Sequence, residues 1–199
     1  MYDKKIYLIS FGILLICIPI AYMFYWFFGL PIINRFYYID TIQKGIFLYS
    51  LHVMFFYLFI KVLTKIQIFH FEKIIILISY FILMYLTFFD RIELLESKIN
   101  LNPFGIVDTL KEEGFSSMIL NILIFVPFYT ALKWLSLKMN NKGYFMTFIM
   151  FMFVIESLQY LTLRGFFDVS DIILYMCGYF TGKGIYKFLF DDYKIKQGV

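Results

Sequence analysis

The chain reads as an all-α, polytopic membrane protein: a bundle of about six transmembrane helices with both termini cytoplasmic. Three observations carry this expectation. Hydrophobic residues make up 62% of the 199, charged residues 16%, and mean hydropathy is +0.79, whereas soluble domains carry about 25% charge. A compact fold of this size could not hide so much apolar surface from water, and disorder needs the opposite composition. Mostly apolar runs of about 17 residues or more recur, the length that crosses a bilayer, and backbone groups in lipid must pair within a helix. Finally, lysines gather in alternate connections.

The expected spans are residues 6–29, 45–63, 74–90, 117–134, 144–163 and 170–190. The first follows Lys4 and Lys5 and runs 24 residues without charge, too long for a signal-peptide core and without a small-residue cleavage site. The second and third are short and lean on Lys61, Lys73 and Asp90 as interfacial flanks. The 91–116 connection is the longest and acidic, and long connections tend to carry function. Its middle, Asn100-Leu101-Asn102-Pro103-Phe104-Gly105, is turn chemistry. Ile106, Val107 and Leu110 then suggest a short helix on the outer leaflet, ending at Gly114. Pro127 should kink the fourth span and free the Leu123 carbonyl, as Pro19 could in the first. Asp168-Val169-Ser170-Asp171 has the pattern of an N-cap with an acid at its third position. The expected organisation is a two-span extension (1–73), a four-helix membrane domain (74–190) and a cytoplasmic tail (191–199).

With both termini inside, the inner connections hold twelve basic residues: Lys4, Lys5, Lys61, Lys65, Lys73, Lys133, Lys138, Lys142, Lys183, Lys187, Lys194 and Lys196. The outer ones hold six: Arg35, Lys44, Arg91, Lys98, Lys111 and Arg164. That bias sets the orientation. It also accounts for the net charge of +4 without a nucleic-acid partner, since no basic block with interleaved aromatics lies outside the spans. Cys17 and Cys177 fall in apolar runs and read as small apolar residues. His52 reads as a packed or interfacial residue. No phosphate loop, dinucleotide fingerprint or zinc spacing is present, so no cofactor or resident metal is expected.

Ionisable groups at membrane depth are costly, which makes them site candidates. Glu156 sits in an apolar run with Gln159 three residues on, on one helix face. Glu156 lies roughly 10–12 Å below Arg164, and Asn121 roughly 7 Å below the same outer surface. Asp171 is similarly shallow at the start of the sixth span, and Asp168 flanks the same outer turn. Interhelical hydrogen bonding is the plain alternative for Asn121 and Gln159, helix capping for an aspartate, and headgroup anchoring for Arg164.

The second half resembles the VanZ-like family. Asn100-Leu101-Asn102-Pro103-Phe104 is similar to its N-L-x-P-F motif, and residues 121–128 (NILIFVPF) to its N-x-x-x-F-x-P segment. Glu156-Ser157-Leu158-Gln159 resembles its E-x-x-Q, and residues 164–171 (RGFFDVSD) its R-x-F-D-x-x-D. Tyr129 stands where the family has glycine, and Tyr175 where it has asparagine. Gly178 and Gly182 keep its glycine pattern, which allows close helix packing. The resemblance implies a bacterial cytoplasmic-membrane protein of the cell envelope. It points toward resistance to teicoplanin-type glycopeptides or lipopeptides, and to no particular reaction.

The expected function is binding of an anionic amphipathic ligand, a lipid or a lipid-like molecule, in an outward-facing polar site. Arg164 would pair with its anionic group through the guanidinium fork. Asn121, Gln159 and Glu156 would hydrogen-bond its polar part, and Asp168 and Asp171 would orient Arg164 or cap the last helix. Asn100 and Asn102 would join from the outer loop. The rival is an enzyme acting on a lipid-linked envelope precursor, with Glu156 as general acid or base and Asp168 with Asp171 holding a divalent cation. A third reading is a scaffold for a membrane complex. No motif decides whether the chain is an enzyme, and none indicates an oligomeric state.

Overall fold

The computed structural model describes residues 4–26, 41–91, 93–96, 98–106, 115–135 and 138–191. The surface helix expected up to Gly114 falls largely, and Arg35 and the tail beyond 191 fall wholly, outside the described residues. The chain forms two compact units, Met1–Asp90 with Leu189–Val199, and Arg91–Phe188. Among the described residues the architecture is all-α apart from one pair of two-residue strands.

The first unit holds α1 (Lys4–Phe24), α2 (Thr41–Leu63) and α3 (His70–Phe89). Pro19 lies inside α1, which continues past it for five residues. The Tyr49 hydroxyl donates to the Ile18 carbonyl at 2.9 Å, joining α1 to α2. At the end of α2, Lys65 takes the left-handed conformation (φ 56°). Ile66 N donates to Lys61 O at 2.9 Å and Lys65 N to Val62 O at 3.2 Å, which closes the helix as a Schellman turn.

Lys61 was expected as an interfacial flank, and the structure corrects this: it is fully buried. Its Nζ lies 2.8 Å from both oxygens of Glu72. Glu72 also accepts from the Tyr57 hydroxyl and, at 2.8 Å, from Phe69 N, so it caps α3 while neutralising Lys61. A buried charge persists only when paired in this way. His52 bonds within its own helix, Nδ1 to Leu48 O at 2.6 Å, as a packed residue does.

The second unit holds β1 (Ile99–Asn100), a 3-10 turn (Pro103–Gly105), α4 (Phe115–Phe125), α5 (Phe128–Trp134), α6 (Asn141–Leu161), β2 (Phe167–Asp168) and α7 (Val169–Tyr186). The fourth expected span is two helices. Pro127 breaks it, but the Leu123 carbonyl is not left bare as expected: Val126 N donates to it at 3.2 Å in a tightened last turn. Gly178 and Gly182 put α7 directly on this break. A Cβ at Gly178 would stand 2.2 Å from Ile122 O, and one at Gly182 1.9 Å from Val126 O.

Rings fill the space between these helices. Phe148 stacks on Tyr179 at 4.3 Å, and Phe125 meets Tyr175 at 4.5 Å. Tyr129 joins Tyr144, Tyr179 and Tyr186 edge-on, with Lys133 Nζ 4.2 Å from the Tyr144 ring centre.

Lys4–Phe24, Gly45–Leu63, His70–Phe89 and Asn141–Leu161 are each long and apolar enough to cross a bilayer, and Met118–Trp134 is a shorter apolar stretch. Six spans were expected, and four described helices meet the length and apolarity of a span. Large side chains such as Phe153, Val154 and Leu161 are exposed on α6, where lipid rather than water is the favourable neighbour.

Candidate functional site

The site begins at the strand pair. β1 runs parallel to β2, Ile99 opposite Phe167 and Asn100 opposite Asp168, extended by Phe167 N donating to Lys98 O at 3.0 Å. Asn100 uses both ends of its amide. Its Oδ1 accepts from Asn102 N at 3.0 Å, and its Nδ2 donates to Asp168 Oδ2 at 3.0 Å. Asn102 repeats the first move, accepting from Phe104 N at 3.0 Å. Two Asx turns in series thus shape the loop. Gly105 closes it against Asn100 and Ser170, where a Cβ would lie 2.9 Å from Asn100 Nδ2.

Asp168 caps α7, accepting from Ser170 N at 2.7 Å. In a capping box the acid at the third helical position would reach back to the cap N–H. Here Glu156 of α6 accepts that proton, Asp168 N to Oε2 at 3.0 Å. Asp171, the third-position acid, accepts from Asn121 Nδ2 of α4 at 2.9 Å. One helix start is therefore tied to β1, α4 and α6 by five polar side chains, Asn100, Asn121, Glu156, Asp168 and Asp171.

Glu156 is fully buried, and its other oxygen, Oε1, makes no close hydrogen bond among the described residues, the Tyr175 hydroxyl pairing with the carboxyl weakly. Tyr175, also buried, faces this carboxyl, and Asp171 and Asp168 act on it electrostatically. Arg91 and Asp171 act in turn on Tyr175.

Of the predicted residues, Asn100, Asn121, Glu156, Asp168 and Asp171 converge. Gln159 is buried next to them and packs against the glycine after Arg164: a Cβ at Gly165 would be 3.2 Å from Gln159 Nε2. Arg164 follows the end of α6. Its backbone is held by a Schellman turn, Arg164 N to Gln159 O at 2.9 Å and Leu163 N to Tyr160 O at 3.3 Å, with Leu163 left-handed (φ 56°). Leu94 N donates to Leu163 O at 2.7 Å, fastening the 91–100 segment alongside. The Arg164 side chain is about a third exposed, and its guanidinium is 3.8 Å from the exposed Glu93. Asn102 is exposed and serves its own loop.

Sequence reasoning did not find Tyr175, Arg91, Ser170 or Gly105 as members of this cluster. Tyr175 lies one helical turn after Asp171, a spacing that puts both on one face, so that signal was available. Nothing local marks the others.

A comparison with protein families matches residues 73–190 to the family described as VanZ/LLP1. No curated protein and no solved structure matches the chain. The match covers more than half of the chain and the whole stretch in which the four motifs occur, so this membrane protein belongs to the VanZ/LLP1 family.

Proposed function

We propose that the protein binds an amphipathic, anionic ligand of the bacterial cell envelope at this polar cluster, and thereby contributes to resistance to glycopeptides of the teicoplanin type or to lipopeptides. The bacterial cytoplasmic membrane is the expected location, with the cluster facing outward. The observation that carries the reading is the Glu156 carboxyl. It is fully buried beside Asp168 and Asp171, and its Oε1 makes no close hydrogen bond among the described residues beyond its approach to the Tyr175 hydroxyl, so a ligand donor would strengthen its pairing.

The roles follow from the geometry. Glu156 Oε1 accepts from a hydroxyl or amine of the ligand's polar part. Arg164 follows the end of α6, its guanidinium part-exposed and 3.8 Å from Glu93, and its fork pairs with a phosphate or carboxylate of the ligand. Asn100, Asn121, Asp168 and Asp171 are occupied with one another and act by fixing the site's shape. Both oxygens of Asp168 already hold protein donors, which favours capping over the cation role of the rival reading.

The test is a deletion strain challenged with teicoplanin-type glycopeptides and with lipopeptides, complemented by wild-type, Glu156→Ala or Arg164→Lys protein at matched membrane levels. Restoration by wild type alone supports the reading. Restoration by all three refutes the roles given to these residues. The enzymatic reading is favoured instead if purified protein converts a lipid-linked precursor to product and Glu156→Gln abolishes turnover.

A further inference from the structure

The first unit contains a second candidate site, independent of the polar cluster. A cavity of about 310 Å³ opens among α1, α2 and α3, at the small end of the range for ligand pockets, about 300–1,000 Å³. Leu14, Met54 and Ile75 contribute to its apolar wall, and Ser10, Tyr57 and Glu72 its polar end. Glu72 and Tyr57 are engaged with each other and with Lys61. Ser10 differs. It is 94% buried, and its Oγ, a weak donor towards the Tyr57 hydroxyl, makes no close hydrogen bond among the described residues. The Tyr57 hydroxyl that faces it gives its proton to Glu72 and accepts from Lys61.

Position identifies the occupant. The start of α1, the end of α2 and the start of α3 lie together, as the 4.5 Å stacking of Tyr7 on Phe69 and the Lys61–Glu72 pair require. Ser10 is therefore about 9 Å along α1 from Lys4, just inside the end where Lys4, Lys5, Lys65 and Lys73 sit. Apolar wall, then a hydroxyl, then lysines is the order of chain, ester and acidic headgroup in a glycerophospholipid, and lysines near a membrane surface attract anionic headgroups.

We propose that this groove is a binding site for an anionic glycerophospholipid of the leaflet in which Lys4 and Lys5 lie, its acyl chain in the cavity and its ester carbonyl accepting from Ser10.

The probe is phosphatidylglycerol carrying a photoreactive acyl chain, in phosphatidylcholine vesicles containing the full-length protein. The expected result is labelling concentrated on Leu14, Met54 and Ile75, displaced by unlabelled phosphatidylglycerol. Ser10→Ala should weaken it about two- to tenfold, the range for one lost hydrogen bond, and Leu14→Trp should block it by filling the groove. Displacement by unlabelled lipid tests the same claim on wild-type protein, without relying on either variant folding. The proposal is overturned if labelling spreads equally to lipid-exposed residues such as Phe153 and Val154. It is also overturned if a phosphatidylcholine probe labels the groove as well, or if unlabelled phosphatidylglycerol does not compete.

Discussion

Gly182→Ala offers a direct test of how α7 is seated. The added Cβ would lie 1.9 Å from Val126 O, 2.8 Å from Val126 C and 3.2 Å from Val126 Cα. All three are backbone atoms at the Pro127 break, so no side chain can turn away to make room. A carbon and an oxygen in contact need about 3.3 Å even when weakly hydrogen-bonded, so α7 and the α4–α5 turn must part by more than an ångström. Overpacking of this kind costs about 1–3 kcal/mol, occasionally more. Gly184 is the internal control, two residues on in the same helix with nothing within 4 Å of a Cβ. There alanine should help, by up to about 1 kcal/mol of helix propensity. Thermal unfolding of the two variants in one detergent, followed by near-ultraviolet circular dichroism of the tyrosine-rich core, reads the difference. Gly182→Ala should melt well below wild type and Gly184→Ala at or above it. Equal melting of both variants would refute the close approach of α7 to Val126.

The remaining predictions concern polar pairs and a strained turn. Lys61→Met leaves Glu72 without its buried cation and should destabilise by about 3–5 kcal/mol, whereas Lys61→Met with Glu72→Leu should recover most of that loss; melting temperatures that merely add would contradict the pair. Asp168→Asn sets one amide NH2 against another at Asn100, as Asn100→Asp sets two carboxylates together, so each should cost roughly 1 kcal/mol. The exchanged double variant restores a donor–acceptor pair and should melt near wild type. Leu163→Gly relieves a left-handed leucine and should raise stability by up to about 1 kcal/mol, which a lower melting temperature would disprove.

Much of the fold and of the polar cluster was legible because lipid simplifies the code. In an apolar run a glutamate or asparagine has few bland explanations, so Glu156, Asn121 and the two aspartates stood out, and they converge. Lys61 was misread for a physical reason: a lysine near the end of an apolar helix looks the same whether it snorkels to water or meets a carboxylate from the next helix. Its partner Glu72 lies eleven residues on, beyond a turn that no motif marks. Pro127 announced a break, but whether the ladder would kink or split depended on Gly178 and Gly182 presenting a bare helix face to it. The partnership of Glu156 with the N–H of Asp168 was beyond local reading, because the capping pattern supplied a nearer candidate in Asp171.

Equilibrium binding of a teicoplanin-type lipoglycopeptide to purified protein in lipid nanodiscs tests the central claim most directly, with Arg164→Lys and Glu156→Ala variants of confirmed folding alongside. Saturable binding by the wild type, weakened at least about tenfold in each variant, as the loss of a charge-assisted hydrogen bond requires, is the predicted result. Binding of equal strength in all three proteins would contradict the account.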